Sequence, residues 1–211
     1  GFQQQVTRMK ILCIGRNYAE HAAELKNDIP AEPVFFLKPD TALLPPGQAF
    51  YLPDFSNDIH HEVELVLRIG KEGKHIQEEF ASRYIDGITV GVDFTARDVQ
   101  QRQKEKGLPW EPAKAFDHSA PVGRIVPFES FLGNDAIHFS LTRNGQEVQR
   151  GDSSLMLFPF NRILAHLSRY ITLRKGDLIF TGTPKGVGAV AAGDTLEAFL
   201  EGESLLRFDV K

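Results

Sequence analysis

Residues 60–69, His60-His61-Glu62-Val63-Glu64-Leu65-Val66-Leu67-Arg68-Ile69, alternate with a period of two. Val63, Leu65, Leu67 and Ile69 fall on one side; Glu62, Glu64, Val66 and Arg68 fall on the other. The pattern predicts a half-buried β-strand, with one face on a core. Side chains at i and i+2 of a strand share a face, so Glu62 and Glu64 point the same way and repel each other. A positive group between them would relieve that repulsion, and a divalent cation is the simplest choice. The alternative is an exposed edge strand carrying two solvated acids.

The rest of the chain is organised around further strands. Alternating or apolar runs predict strands over 10–15, 34–37, 88–93, 137–142, 146–150, 177–181, 196–200 and 205–210. Asn144-Gly145 between two of them predicts a type I′ hairpin turn, since both central residues need positive φ. Helices are few. One is expected over 18–26. A second opens at Thr95-x-x-Asp98, a capping-box variant, and stops at Gly107 with Pro109 beyond. A third follows Pro159, with Ile163, Leu164, Leu167, Tyr170 and Ile171 as its apolar face. Strands and helices do not alternate regularly, so a doubly wound sheet is not expected. An α+β, strand-rich single domain is. Gly1–Arg8, ahead of Met9, reads as an expression leader or frayed terminus, which leaves 9–211 as the domain.

Composition removes several function classes. A net charge of −4 argues against a nucleic-acid partner. No run of about 18 apolar residues predicts a membrane span. The single cysteine, Cys13, permits no intrachain disulfide and fits a reducing cytoplasm. Cys13 lies in an apolar run and reads as a small core residue rather than a nucleophile.

Four sets of residues could carry chemistry. Asp93 ends a predicted strand on its polar face; with Glu62 and Glu64 it would make an all-oxygen site suited to Mg²⁺, Mn²⁺ or Ca²⁺. His61 falls on the apolar face as a core histidine, whereas His60 shares the glutamate face and could support a ligand from behind. No His or Cys spacing suggests zinc. His21 and Glu24, three apart in a predicted helix, are either a general-base pair or an ordinary polar pair on a solvated face. Thr181-Gly182-Thr183-Pro184-Lys185-Gly186-Val187-Gly188 follows a strand. Its tail matches a dinucleotide fingerprint in letters only, because no helix follows; a substrate-facing turn and a plain structural loop remain.

Five motifs occur in order: Gly15-Arg16-Asn17-Tyr18-x-x-His21-x-x-Glu24, His61-Glu62-x-Glu64, Asp93-x-Thr95-Ala96-Arg97-Asp98-x-Gln100, Gly107-Leu108-Pro109-Trp110 leading to Lys114, and Thr181-Gly182-Thr183-Pro184-x-Gly186-Val187-Gly188. Together they resemble the fumarylacetoacetate hydrolase family, most of all its short members that act as acylpyruvases and oxaloacetate decarboxylases. The resemblance implies a mixed β-sandwich roll, usually homodimeric. It implies Mg²⁺ or Mn²⁺ on Glu62, Glu64 and Asp93, and a water-activating dyad of His21 and Glu24 on a lid segment. It places Lys114, on its own an ordinary surface lysine, near the metal. Arg16, Arg97 and Gln100 match pocket-lining groups, and Thr183 matches a contact to the substrate carboxylate. The implied activity is cleavage of C–C bonds in small 2,4-dioxo acids, or decarboxylation of oxaloacetate, with the metal as Lewis acid for the pyruvate enolate. Tautomerisation of a 2-hydroxy-dienoic acid is an alternative within the family. A non-catalytic metal- or ligand-binding module is the alternative outside it.

Overall fold

The computed structural model describes residues 8–211; of the expected leader, all but the exposed Arg8 lies outside the described residues. The first half of the chain contains β1 (Ile11–Gly15), α1 (Ala19–Glu24), β2 (Val34–Lys38), β3 (Ile59–His61), β4 (Val63–Ile69), β5 (Ile85–Val92), β6 (Thr95–Ala96), α2 (Arg97–Lys106) and α3 (Glu111–Lys114). The second contains β7 (Val126–Pro127), β8 (His138–Arg143), β9 (Gln146–Asp152), α4 (Phe160–Tyr170), β10 (Leu178–Phe180), β11 (Gly188–Ala189), β12 (Thr195–Leu200) and β13 (Glu203–Asp209). Three sheets result, with strand orders β2-β1-β10-β4-β5-β7, β13-β12-β8-β9 and β11-β3-β6. Among the described residues only the β1–β10 ladder is parallel, so the first sheet is mixed. The architecture is the strand-rich α+β fold that the alternating segments predict. No helix among the described residues is long and apolar enough to cross a membrane.

β4 departs from the half-buried strand expected of it. Val63, Leu65, Leu67 and Ile69 enter the main core with Val90, Val92, Leu141 and Leu196. On the opposite face Val66 is also fully buried, against Ile11, Cys13, Ala42, Ala120 and Phe180. β4 is an interior strand covered on both sides, and the second cover comes from segments far away in sequence. Each fully buried leucine here stabilises the fold by roughly 1.5–3 kcal/mol.

The expected strand over 60–69 is also broken in two. Residues 59–61 pair with β6 and β11, whereas 63–69 pair with β10 and β5. Glu62 sits at the break and lies in neither strand.

Several turn and helix signals behave as their chemistry predicts. Asn144 and Gly145 have φ of 54° and 80° in the β8–β9 hairpin, and Gly107 caps α2 in the left-handed region at φ 63°. The capping box does not form. The residue ahead of α2 is Ala96, without a side-chain cap, because Thr95 is taken into β6 and turned inward. Asp98 instead accepts from Ser56 Oγ, Asn57 N and Val99 N. α1 is shorter than expected, six residues rather than nine. On α4, Ile163, Leu164 and Leu167 are buried, but Tyr170 is exposed and leans on Phe35 and His166.

Candidate active site

The register of β4 and β5 brings three carboxylates together. Val63 pairs with Val92 and Glu64 with Gly91. Asp93, one residue past β5, therefore faces Glu62, one residue before β4, and Asp93 N donates to Glu62 O at 2.8 Å. Glu64 lies two positions along from Glu62 on the same face. One oxygen from each of the three lies within 4.8 Å of the others, and all three side chains are buried. These are not solvated acids on an edge strand.

Three cations frame this acidic floor. Lys114, in α3, donates to Thr95 Oγ1 at 2.6 Å, Asp93 Oδ2 at 3.1 Å and Glu62 Oε1 at 3.3 Å. Arg97, opening α2, donates to Glu62 Oε2 at 2.6 Å, Gln100 Oε1 at 2.8 Å and His60 Nδ1 at 3.3 Å. Lys38, ending β2, donates to Ser119 O at 2.8 Å, Ser119 Oγ at 3.2 Å and Phe94 O at 3.3 Å. Its ammonium also lies 2.7 Å from Asp93 Oδ1. This close ion pair is the contact that serves Asp93 Oδ1. Glu64 accepts from Gly182 N at 2.8 Å.

The charges are unevenly shared. Burial alone would raise the pKa of Glu62, but Lys114 and Arg97 outweigh it and hold the carboxyl below the ordinary range. Burial would lower that of Lys114, yet Asp93 and Glu62 more than offset this and keep it protonated. Glu64 is pushed well above its ordinary value by burial and then by the charges of Asp93 and Glu62. Three buried carboxylates drawn together, one of them resisting ionisation, fit a site completed by a hard divalent cation. The donors are oxygens only, as Mg²⁺ and Mn²⁺ favour.

The other sequence-predicted residues surround one cavity above this floor. Arg16, His21, Gln100 and Thr183 line it together with Glu62, Asp93, Arg97 and Lys114. His21 is buried, and its Nδ1 lies 3.1 Å from Glu24 Oε2. Glu24 stands behind it, its other oxygen accepting from Gly186 N at 3.0 Å. The glycine-rich loop thus supports both Glu64 and Glu24, and presents Thr183 to the cavity. Lys114, ordinary in sequence, is among the buried charged groups.

His61 is satisfied in the core, its Nδ1 2.8 Å from Gln149 Oε1, and burial lowers its pKa. His60 reaches the floor only through Arg97, with Asp58 on its other nitrogen. Cys13 is a buried free thiol whose pKa burial raises, which makes it a poor nucleophile.

Three supporting residues have roles that the sequence left unassigned. Gln149 donates to Thr183 Oγ1 and Pro184 O while accepting from Val63 N and His61, tying the loop to β4. Asn17 clamps the turn after β1 through Phe158 and Thr181. Asn17 stands in the first motif, and Lys38 continues the Val34, Phe36 face of its strand, where Phe36 lines the cavity.

The fumarylacetoacetate (FAA) hydrolase C-terminal model matches residues 10–211. The chain belongs to the fumarylacetoacetate hydrolase family. It is 45% identical over 201 residues to the mitochondrial oxaloacetate tautomerase FAHD1 of Mus musculus, covering 95% of this chain and 91% of that protein. It is 41% identical over 197 residues to the oxaloacetate tautomerase YcgM of Escherichia coli K12, covering 93% and 90%. Among solved structures it resembles the fumarylpyruvate hydrolase of Pseudomonas aeruginosa, in complex with Mn²⁺ and pyruvate. The TM-score is 0.89 at 39% identity, with 95% of this chain and 88% of that one covered.

Proposed function

We propose that this member of the fumarylacetoacetate hydrolase family is a divalent-metal-dependent enzyme acting on small 2-oxo acids at the carbon beside the 2-oxo group. The observation that carries the reading is a buried carboxylate triad, of which Glu62 and Asp93 line one cavity together with the lysine paired to them and a histidine oriented by a glutamate. The relatives named for oxaloacetate tautomerisation make oxaloacetate the first substrate to consider.

Glu62, Glu64 and Asp93 would hold the metal. When bound, the cation supplies Lewis-acid polarisation of the 2-oxo oxygen. Lys114 places an ammonium beside the triad, where negative charge develops on that oxygen. Thr183 and the adjoining loop receive the substrate's C1 carboxylate, and Arg97 and Gln100 hold its flank. His21, with Nδ1 held by Glu24, has Nε2 free to move a proton. In tautomerisation, His21 removes a proton from C3, the electron pair forms the C2–C3 double bond, and the 2-oxo oxygen gains a proton. In decarboxylation, the C3–C4 bond breaks with loss of CO₂, leaving the enolate of pyruvate.

The His21–Glu24 pair favours a second reaction, hydrolysis of acylpyruvates. His21 takes a proton from water, and the oxygen attacks the C4 carbonyl. The C3–C4 bond then breaks to give a carboxylic acid and the pyruvate enolate, which gains a proton at C3. This dyad and the buried Lys114 also weigh against a non-catalytic module, which would need neither.

The same reading treats 9–211 as one catalytic domain, supported by the family match over 10–211. Mg²⁺ and Mn²⁺ both suit the donor set, and the Pseudomonas aeruginosa relative carries Mn²⁺. A reducing compartment such as the cytoplasm suits the free thiol of Cys13. A homodimer is included on the family resemblance alone.

The deciding assay follows oxaloacetate enol loss and pyruvate release from oxaloacetate and acetylpyruvate, with Mg²⁺, Mn²⁺ or EDTA. Metal-dependent turnover of either substrate, abolished by EDTA, is expected. No turnover of either, with metal bound, would overturn the proposal.

A further inference from the structure

Lys38, Lys114 and Arg97 belong to the catalytic floor, and Arg16 and Lys104 line the mouth of the same cavity. A second group of cations lies elsewhere. A separate cavity of about 310 Å³ is bounded by α4, by the segment after β4 and by the segment before β2, and it shares no lining residue with the first. β2 has one face toward each. Phe36 lines the catalytic cavity, whereas Phe35, on the other face, packs edge-on against His166 of α4 with ring centroids 6.2 Å apart. His166 lines the second cavity.

The charges of this cavity are concentrated on one helix face. Arg162, His166 and Arg169 recur on α4 at spacings of four and three, and all three line the cavity. Neither arginine has an ion pair or hydrogen bond among the described residues. Each lies over an aromatic ring instead, Arg162 over Phe158 at 5.3 Å and Arg169 over Tyr170 at 5.7 Å. Unpartnered arginines occur elsewhere singly, as Arg83, Arg102 and Arg207; here two share one cavity. The chain as a whole is acidic, at −4, so the pair does not follow from general basicity. The opposing group is Glu32 at the rim, itself exposed. Burial lowers the pKa of His166; the charge of Glu32 opposes this, and those of Arg169 and Arg162 add to it.

The backbone around the cavity is held for a purpose that packing alone does not require. His75 lines it with φ 52°, in the left-handed region that non-glycine residues seldom adopt. α4 fixes it there: His75 N donates to Ser168 O at 2.9 Å, and Ile76 N donates to the buried Ser168 Oγ at 3.0 Å. Ala165 and the buried Ile76 add small and apolar lining between the charged groups. Guanidinium groups bind phosphoryl oxygens in pairs of hydrogen bonds. Seven residues of helix separate the two arginines by about 10 Å, with His166 between them. An anion of two linked phosphoryl groups spans that interval better than a single phosphate does.

We propose that this cavity binds a diphosphate group, free or carried by a nucleoside, at a site separate from the catalytic one. One phosphoryl group meets Arg162, the other meets Arg169, and His166 donates between them. Glu32 opposes the anion and weakens its binding. A nucleoside attached to the diphosphate would have the exposed ring of Tyr170 to stack on, 5.3 Å from His166 between centroids.

The test is calorimetric titration of the full chain with pyrophosphate, ADP and inorganic phosphate, in EDTA so that no anion is held through a metal at the floor. Pyrophosphate should bind at least about tenfold more tightly than phosphate, through the second guanidinium. Arg162→Gln and Arg169→Gln should each weaken pyrophosphate at least about tenfold, and Glu32→Gln should tighten it about threefold. Arg207→Gln, unpartnered but elsewhere, and Arg16→Gln, at the catalytic mouth, should bind it as the wild type does. Melting temperatures of the α4 variants should match the wild type, which separates lost binding from lost fold. ADP binding more tightly than pyrophosphate would assign the nucleoside form, and equal affinities the free diphosphate; either upholds the site. No binding by the wild type at about 1 mM, an affinity untouched by both α4 variants, or an equal loss in Arg207→Gln or Arg16→Gln would overturn it.

Discussion

At the floor of the cavity each charged side chain is held by its neighbours. Lys114 has three acceptors, Lys38 three, and Arg97 three, and the carboxylates they meet are buried. At the mouth, Arg16 and Lys104 are half-exposed or exposed and nearly free. The floor is rigid because charge must be placed before the reaction begins; fixed dipoles and ions there need no reorganisation as the substrate changes. The mouth keeps cations with few partners, open to an incoming anion. Changes at the floor should therefore alter whether the reaction occurs, and changes at the mouth which substrate is chosen.

The largest effect is expected from Glu62→Gln. It removes the carboxylate that both Lys114 and Arg97 contact and one of three candidate metal ligands. Turnover should fall on the order of 10³-fold, with weaker Mn²⁺ binding in titration. Unchanged metal content and activity would remove Glu62 from the metal and dissolve the contrast between floor and mouth.

Next comes His21→Ala, between the two regions. Hydrolysis of acetylpyruvate should drop by about 10²–10⁴, the range for a lost general base, while oxaloacetate decarboxylation should fall less because it needs no water activated. Equal losses on the two substrates would show that the dyad serves both bonds in the same way.

A smaller effect is expected behind the wall. Gln149→Leu leaves Thr183 Oγ1, Val63 N and His61 without their shared partner. A loss of about 10–100-fold is typical when a supporting hydrogen bond is removed. It should appear mainly in KM, since the proposal gives Thr183 the substrate carboxylate. A fall in kcat alone would assign Gln149 to the floor instead.

How much of this was legible in the sequence depends on where the partners of each residue lie. The Asn144-Gly145 turn and the Gly107 cap are local, and the sequence states them outright. The five motifs named every residue of the dyad and the triad, because their spacing is family-specific. What was hidden depends on distant chain. Val66 is buried by residues near 11, 42, 120 and 180, so no window around 60–69 reveals that β4 is covered twice. Gln149 meets His61 across 88 positions and Lys38 meets Ser119 across 81. The Thr95 signal misled for the same reason: the hydroxyl that would cap α2 is drawn to Lys114 and Glu62.

The smallest effect, and the one most specific to the floor, is thermal. In the metal-free protein, burial and the charges of Asp93 and Glu62 raise the Glu64 pKa well above its ordinary 4.5. A carboxyl whose folded pKa is raised contributes stability below the unfolded value, and loses it as pH rises through the folded value. Near neutral pH and above, the metal-free wild type therefore carries a charge-repulsion penalty that Glu64→Gln lacks. The amide oxygen can still accept from Gly182 N. The metal-free variant should consequently melt higher than the metal-free wild type at pH 8. The gain should be a few degrees, since about 1 kcal/mol shifts Tm by ~2–4 °C in a chain of this size. The difference should narrow toward pH 5. Added Mn²⁺ should reverse the order, by stabilising the wild type through binding to the folded state while barely moving the variant. A variant less stable than wild type at every pH without metal would mean that Lys38, Lys114 and Arg97 already neutralise the triad. The floor would then be a closed ion cluster in need of no further cation, and the contrast with the open mouth would be one of rigidity alone.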